Sequence, residues 1–207
     1  QDQLFQKCWL ITRLIKIFVT RLFLIVKNFL SDILNHHLFQ KNIQSLVLTE
    51  VEMFPEDIDQ LWEKLSPKFY AIIKRDRTHL NWKYVDQPNM DYLRIIARKE
   101  GKICGYIILR TGKYPEKKIG MLSDIFVDPE DSETICDLLY YAITHFRKEK
   151  VTEIIAATTI RQYQYFLKKF GFVKTSEEFP VIHSNVEGLK VEPGKWFLGN
   201  SDHDWDQ

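Results

Sequence analysis

Residues 91–127, DYLRIIARKEGKICGYIILRTGKYPEKKIGMLSDIFV, contain three strand-like runs, at 91–99, 102–111 and 118–127. Each is rich in the β-branched and aromatic side chains that suit a pleated, half-buried surface. Glu100-Gly101 and the segment 112–117, with its Gly and Pro, supply the turns between them. Successive strands joined by short turns make an antiparallel meander. The middle run, ICGYIIL at 103–109, is apolar without alternation, so it is expected at the centre of a sheet with both faces covered.

On the C-terminal side, Asp128-Pro129-Glu130-Asp131 reads as a helix start. Asp128 is the expected cap, Pro129 occupies the first helical position, and acids follow in the first turn. Ile135, Leu138, Leu139 and Ala142 then recur at helical spacing as far as Phe146. A strand is expected at 151–157, a helix at 160–170 ended by Gly171, and a last apolar strand at 195–199. On the N-terminal side lie a strand at 45–51 and a helix that starts at Phe54-Pro55-Glu56-Asp57 and carries Ile58, Leu61, Trp62 and Leu65. A second helical stretch with Phe69, Ile72 and Ile73 is expected after Pro67, and an irregular stretch at 78–90. The order predicts one α/β domain over 43–207, a mixed and mainly antiparallel sheet flanked by helices, behind an N-terminal amphipathic helix within 1–42.

Composition narrows the function classes. With 29 basic and 28 acidic residues among 207, there is no global field to gather a nucleic acid, which is therefore not an expected partner. Three cysteines, Cys8, Cys104 and Cys136, lack metal-ligand spacing, and an odd count suggests a reducing, cytoplasmic compartment. No metal site is expected: His36 and His37 are adjacent and point to different helix faces. Asp202-His203-Asp204-Trp205-Asp206 resembles the alternating acids of a calcium loop but lacks its Gly and closing Glu, so it reads as a solvated tail.

Fourteen of the nineteen residues 8–26 are apolar, interrupted by Arg13, Lys16 and Arg21. Three central cations cost about 2.5–3.5 kcal/mol each in a bilayer against about 0.3–0.6 returned per strong apolar residue, which argues against a stable span. Arg13, Lys16, Thr20, Lys27 and Ser31 fall on one narrow polar stripe, leaving a broad apolar face that needs cover. Protein packing, a second copy of the chain (a homodimer), a second domain of a parent protein, or peripheral membrane contact through residues 8–30 would each provide it.

The order of elements from 45 onward resembles the GNAT N-acetyltransferase superfamily. Two segments carry the likeness locally: Asp124-Ile125-Phe126-Val127-Asp128-Pro129 before the long helix, and Tyr165-Phe166-Leu167-Lys168-Lys169-Phe170-Gly171-Phe172 at the end of the next. Arg75-Asp76, Leu80, Trp82, Tyr84 and Pro88, together with Trp196 through Asp204, further resemble the C-terminal domain of two-domain GNAT-like acyltransferases. The resemblance implies an acyl-CoA-dependent N-acyltransferase, with acetyl-CoA or another acyl-CoA as donor and a small-molecule or peptide amine as acceptor. It places Ile125, Phe126 and Val127 against the pantetheine arm, and Arg75, Asp76, Trp82 and Tyr84 along the acceptor cleft. Asp124 would assist deprotonation, alternatively serving as a structural polar residue.

Two departures stand out. The glycine-rich turn that holds the CoA pyrophosphate in the family is replaced by EDSETICD at 130–137, whose acids favour a helix start and repel phosphate. Leu167 stands where members commonly carry an acidic Tyr, and Tyr163, about 40° away around the helix, is the available stand-in. These departures also fit a non-catalytic GNAT-like module for substrate binding or dimerisation within a larger acyltransferase. His183, in a loop before the last strand, is a further base candidate without a visible partner.

Overall fold

The computed structural model describes residues 46–114, 117–175 and 195–202. The expected helix of residues 8–30, His36, His37, His183 and the acids beyond Asp202 lie outside the described residues. β1 (Leu46–Glu50) is followed by α1 (Ile58–Leu65), β2 (Ala71–Ile72) and α2 (Arg77–Tyr84). The meander is β3 (Tyr92–Lys99), β4 (Lys102–Tyr114) and β5 (Lys117–Val127). After it come α3 (Ser132–Lys148), β6 (Glu153–Ala156), α4 (Arg161–Lys169) and β7 (Trp196–Phe197).

Five strands form the main sheet in the order β1-β3-β4-β5-β6, antiparallel throughout except for the parallel pair β5/β6. β4 is central, as its unbroken apolar run predicts, with Tyr106, Ile107, Ile108 and Leu109 each at 0% exposure. On one face α1 sets Trp62 against Phe126, and Phe54 meets Tyr106 edge-on. On the other, α3 buries Ile135, Leu138, Leu139, Ala142 and Phe146. Two glycines make this close approach possible. A Cβ at Gly120 would meet the Phe146 ring at 2.7 Å, and one at Gly105 would meet Thr134 Cγ2 at 3.3 Å.

Four local expectations are corrected. The stretch after Pro67 is a single 3-10 turn at Ser66–Lys68, then extended chain, because β2 pairs in parallel with β7 more than 120 residues later. Phe69 accordingly points at Phe126 and Phe197 rather than along a helix. The stretch 78–90 opens with α2, whose cap Asp76 accepts from the His79 N–H at 2.9 Å. Its apolar marks, Leu80 and Tyr84, are too few to show the period. The cap of α3 is Asp131, not Asp128. Its carboxylate accepts from the Thr134 N–H, while Asp128 closes a preceding turn through its carbonyl. Finally, Asp202 is no solvated tail: its side chain is 2% exposed and ion-paired.

Candidate functional site

The sheet opens at one place. β5 and β6 pair in parallel from Ile119↔Glu153 to Leu122↔Ala156, and there the ladder stops, whereas β5 continues to Val127 paired only with β4. The register of β5 on β4 jumps at the same point, from Ile108↔Asp124 to Leu109↔Leu122, a bulge at Ser123. A bulge bends its strand and adds local twist, and β6 itself ends at Ala156. It also breaks the alternation, so Leu122 and Ile125, three apart, line one cleft with Leu139, Ala156, Tyr163 and Leu167. That cleft is apolar and nearly closed, with room for about one water molecule.

The opposite face of the parted strand holds a buried ionic cluster. Asp124 and Arg75 are each 2% exposed. Arg75 donates from Nε to Asp124 Oδ2 at 3.1 Å and from Nη2 to Asp202 Oδ2 at 2.6 Å. Tyr106 donates to Asp124 Oδ2 at 2.8 Å, and the Ile125 N–H to Asp124 Oδ1 at 3.1 Å. Asp202 also accepts from the Gly199 N–H at 2.8 Å, which holds the last turn, Asn200–Asp202, under the strand end. Burial works against the Arg75 charge, but Asp124, Tyr106 and Asp202 outweigh it and hold its pKa well above the ordinary guanidinium value. Burial, with Asp124, pushes the Tyr106 hydroxyl up. As a general base, Asp124 would first have to give up one of these donors.

Tyr163, fully buried on α4, spans the open edge of β5. Its hydroxyl accepts from the Val127 N–H at 2.9 Å and donates to the Val127 carbonyl. Burial raises its pKa, only partly opposed by that backbone contact. The start of α3 is likewise self-satisfied. The N–H groups of Glu130, Asp131, Ser132 and Thr134 are taken by Asp128 Oδ1, the Asp128 carbonyl, the Glu130 carbonyl and Asp131 Oδ1. Lys99 bridges Asp131 and Glu133, and Lys68 pairs with Asp128. Burial alone would raise the Asp131 carboxyl, but Thr134 and Lys99 hold it below the usual range.

The predicted residues therefore gather around one strand end, but not as one lining. Asp124 and Arg75 bind each other, and Tyr163 is across the strand from them. Asp76 caps α2, and Tyr84 is 2% exposed and packs edge-on against Tyr92. Trp82 is 56% exposed, with its ring 5.4 Å from that of His79. Sequence reasoning missed Tyr106, His79 and Asp202. Tyr106 carried a signal, since a phenol in a strand covered on both faces needs a polar partner. Asp202 carried none, because its partner is 127 residues away. Among the described residues, no group of three His, Cys, Asp or Glu side chains could hold a metal. None of their helices is long and apolar enough to cross a membrane.

No family model and no curated protein matches the chain. Solved structures do. The glucosamine-6-phosphate N-acetyltransferase of Arabidopsis thaliana matches with a TM-score of 0.51 at 13% identity, over 68% of this chain and 100% of its own. The ribosomal-protein-alanine N-acetyltransferase of Brucella melitensis biovar Abortus 2308 matches with a TM-score of 0.51 at 11% identity, over 68% of this chain and 100% of its own. The chain has the GNAT fold. The cleft beside β5 is apolar, whereas the start of α3 turns its own carboxylates onto N–H groups that could otherwise bind an anion.

Proposed function

We propose that the chain is an N-acyltransferase that takes an acyl group from an acyl-CoA and passes it to an amine. The observation that carries this reading is the end of β5/β6 pairing after Leu122 and Ala156, beside a shallow apolar slot that would have to widen to admit the thioester arm. Acyl-CoA supplies the activated group as a thioester. The chain supplies the slot, lined by Leu122, Ile125, Ala156 and Leu167, and the strand edge Ile125–Val127 along it. Tyr163 occupies the Val127 N–H on that edge and would have to release it when the slot fills. Asp124, tied to Arg75 and Tyr106, positions β5 by its hold on the Ile125 N–H. The gain in rate comes from holding amine and thioester together in a water-poor site. The acceptor reaches the site from the face of Arg75 and the exposed Trp82. We place the protein in the cytoplasm, with residues 8–30 covering or seeking a membrane surface, a second copy or a partner domain.

A second reading, a GNAT-shaped module without CoA chemistry, is favoured by the self-satisfied start of α3. Thermal unfolding with acetyl-CoA separates the two. A ligand at 100 times its dissociation constant stabilises by about 2.7 kcal/mol, so the melting temperature should rise. Ala157→Trp, which fills the slot, should abolish the rise, and Asp131→Ala, which frees the Thr134 N–H, should enlarge it. No rise at millimolar acetyl-CoA in any of the three leaves the module reading.

A further inference from the structure

On the α2 side of β5, Arg75, His79, Leu80, Lys83, Tyr84, Asp124 and Asp202 surround a shallow recess that is closed to water at its floor. Arg75, Asp124 and Asp202 are committed to one another, with side chains 2% exposed. His79 differs from them. It is half-buried, no hydrogen bond to another described residue holds its imidazole, and its ring lies against the exposed Trp82. Its ring is thus partly exposed at the rim of the recess, with no ring nitrogen taken by another described residue.

We propose that His79 takes the proton from the acceptor ammonium, an assignment that rests on the acyl-transfer reading above. Its charged surroundings come from four directions. Lys83 lies on its own helix, Asp76 at the cap and Arg75 just before it, Asp124 on β5, and Asp202 in the C-terminal turn. Burial, then Lys83 and Arg75, outweigh Asp76 and Asp124 and hold the imidazole below its ordinary pKa. It is therefore neutral, and able to accept, at pH 7.

The protons balance as follows. The ammonium gives one proton to the imidazole, and the freed lone pair forms the C–N bond at the thioester carbonyl as the C–S bond breaks. The second N–H proton ends on the departing sulfur, giving the thiol, and the imidazolium returns its proton to solvent. The amide and the free thiol are the products.

The test is thiol release from acetyl-CoA by the full chain with glucosamine, spermidine and an alanyl peptide as amines, across pH 5 to 9. His79→Asn is expected to lower kcat/KM by about 100-fold or more, with the acidic limb of the pH profile lost and the melting temperature unchanged. Added imidazole should restore part of the rate. A variant within about threefold of the parent, with the same pH profile, overturns the assignment while leaving acyl transfer intact. A raised melting temperature with acetyl-CoA but no transfer to any amine also overturns it. Absence of both transfer and shift overturns the acyl-transfer reading itself.

Discussion

Two groups of acids and bases flank the same strand end, and they differ in what water does to them. Arg75, Asp124 and Asp202 are buried, with side chains 2% exposed, and bring together three distant parts of the chain. Lys99, Asp131 and Glu133, at the start of α3, keep about a quarter to a third of their side-chain surface in solvent. The chemistry of the pairs is the same, but a buried charge that loses its partner has no solvent to replace it. The first cluster therefore holds the strand end in one place, while the second mainly denies the helix start to an anion.

Arg75→Met tests the contrast most severely. It strands two buried carboxylates, and an unfolding free energy lower by about 3–5 kcal/mol is expected in a urea titration. The matching Lys99→Met should cost no more than about 1 kcal/mol, and equal losses at the two sites would erase the distinction. Tyr106→Phe removes one neutral donor from the buried carboxylate at constant shape, so a loss of about 1.5–3 kcal/mol is expected from the same titration.

The smallest effect belongs to the surface group. Burial, then Glu133, push the half-buried Asp137 carboxyl up to about 6. A carboxyl raised in the folded state favours folding when protonated. Its contribution is full below the unfolded value, near pH 4, and is lost as pH rises through about 6. Asp137→Asn should flatten stability between those values and raise it slightly at pH 7, by less than about 1 kcal/mol given solvent screening. A parallel pH dependence in parent and variant would show that Asp137 does not set it.

Legibility followed the range of the interactions. The meander, the α3 stripe and the Gly171 stop are local patterns, since a period of 2 or 3.6 needs only neighbouring residues. β2 is illegible locally because Phe69 and Ile72 fit a helix as well as a strand until β7 arrives. α2 is equally faint, since only Leu80 and Tyr84 mark its inner face. Asp124 was visible as a polar residue in an apolar strand, yet nothing nearby says that Arg75, Tyr106 and Asp202 converge on it.

By itself the sequence determined the succession of strands and helices and the absence of glycine from the start of α3, because those follow from side-chain period and from which residues are present. Tertiary structure alone decided that β5 leaves β6 at the Ser123 bulge, and that Arg75 spends its charge on two aspartates, leaving His79 beside the recess. Burial and partnership are properties of neighbours in space, and those neighbours are 49 and 127 residues apart in the chain.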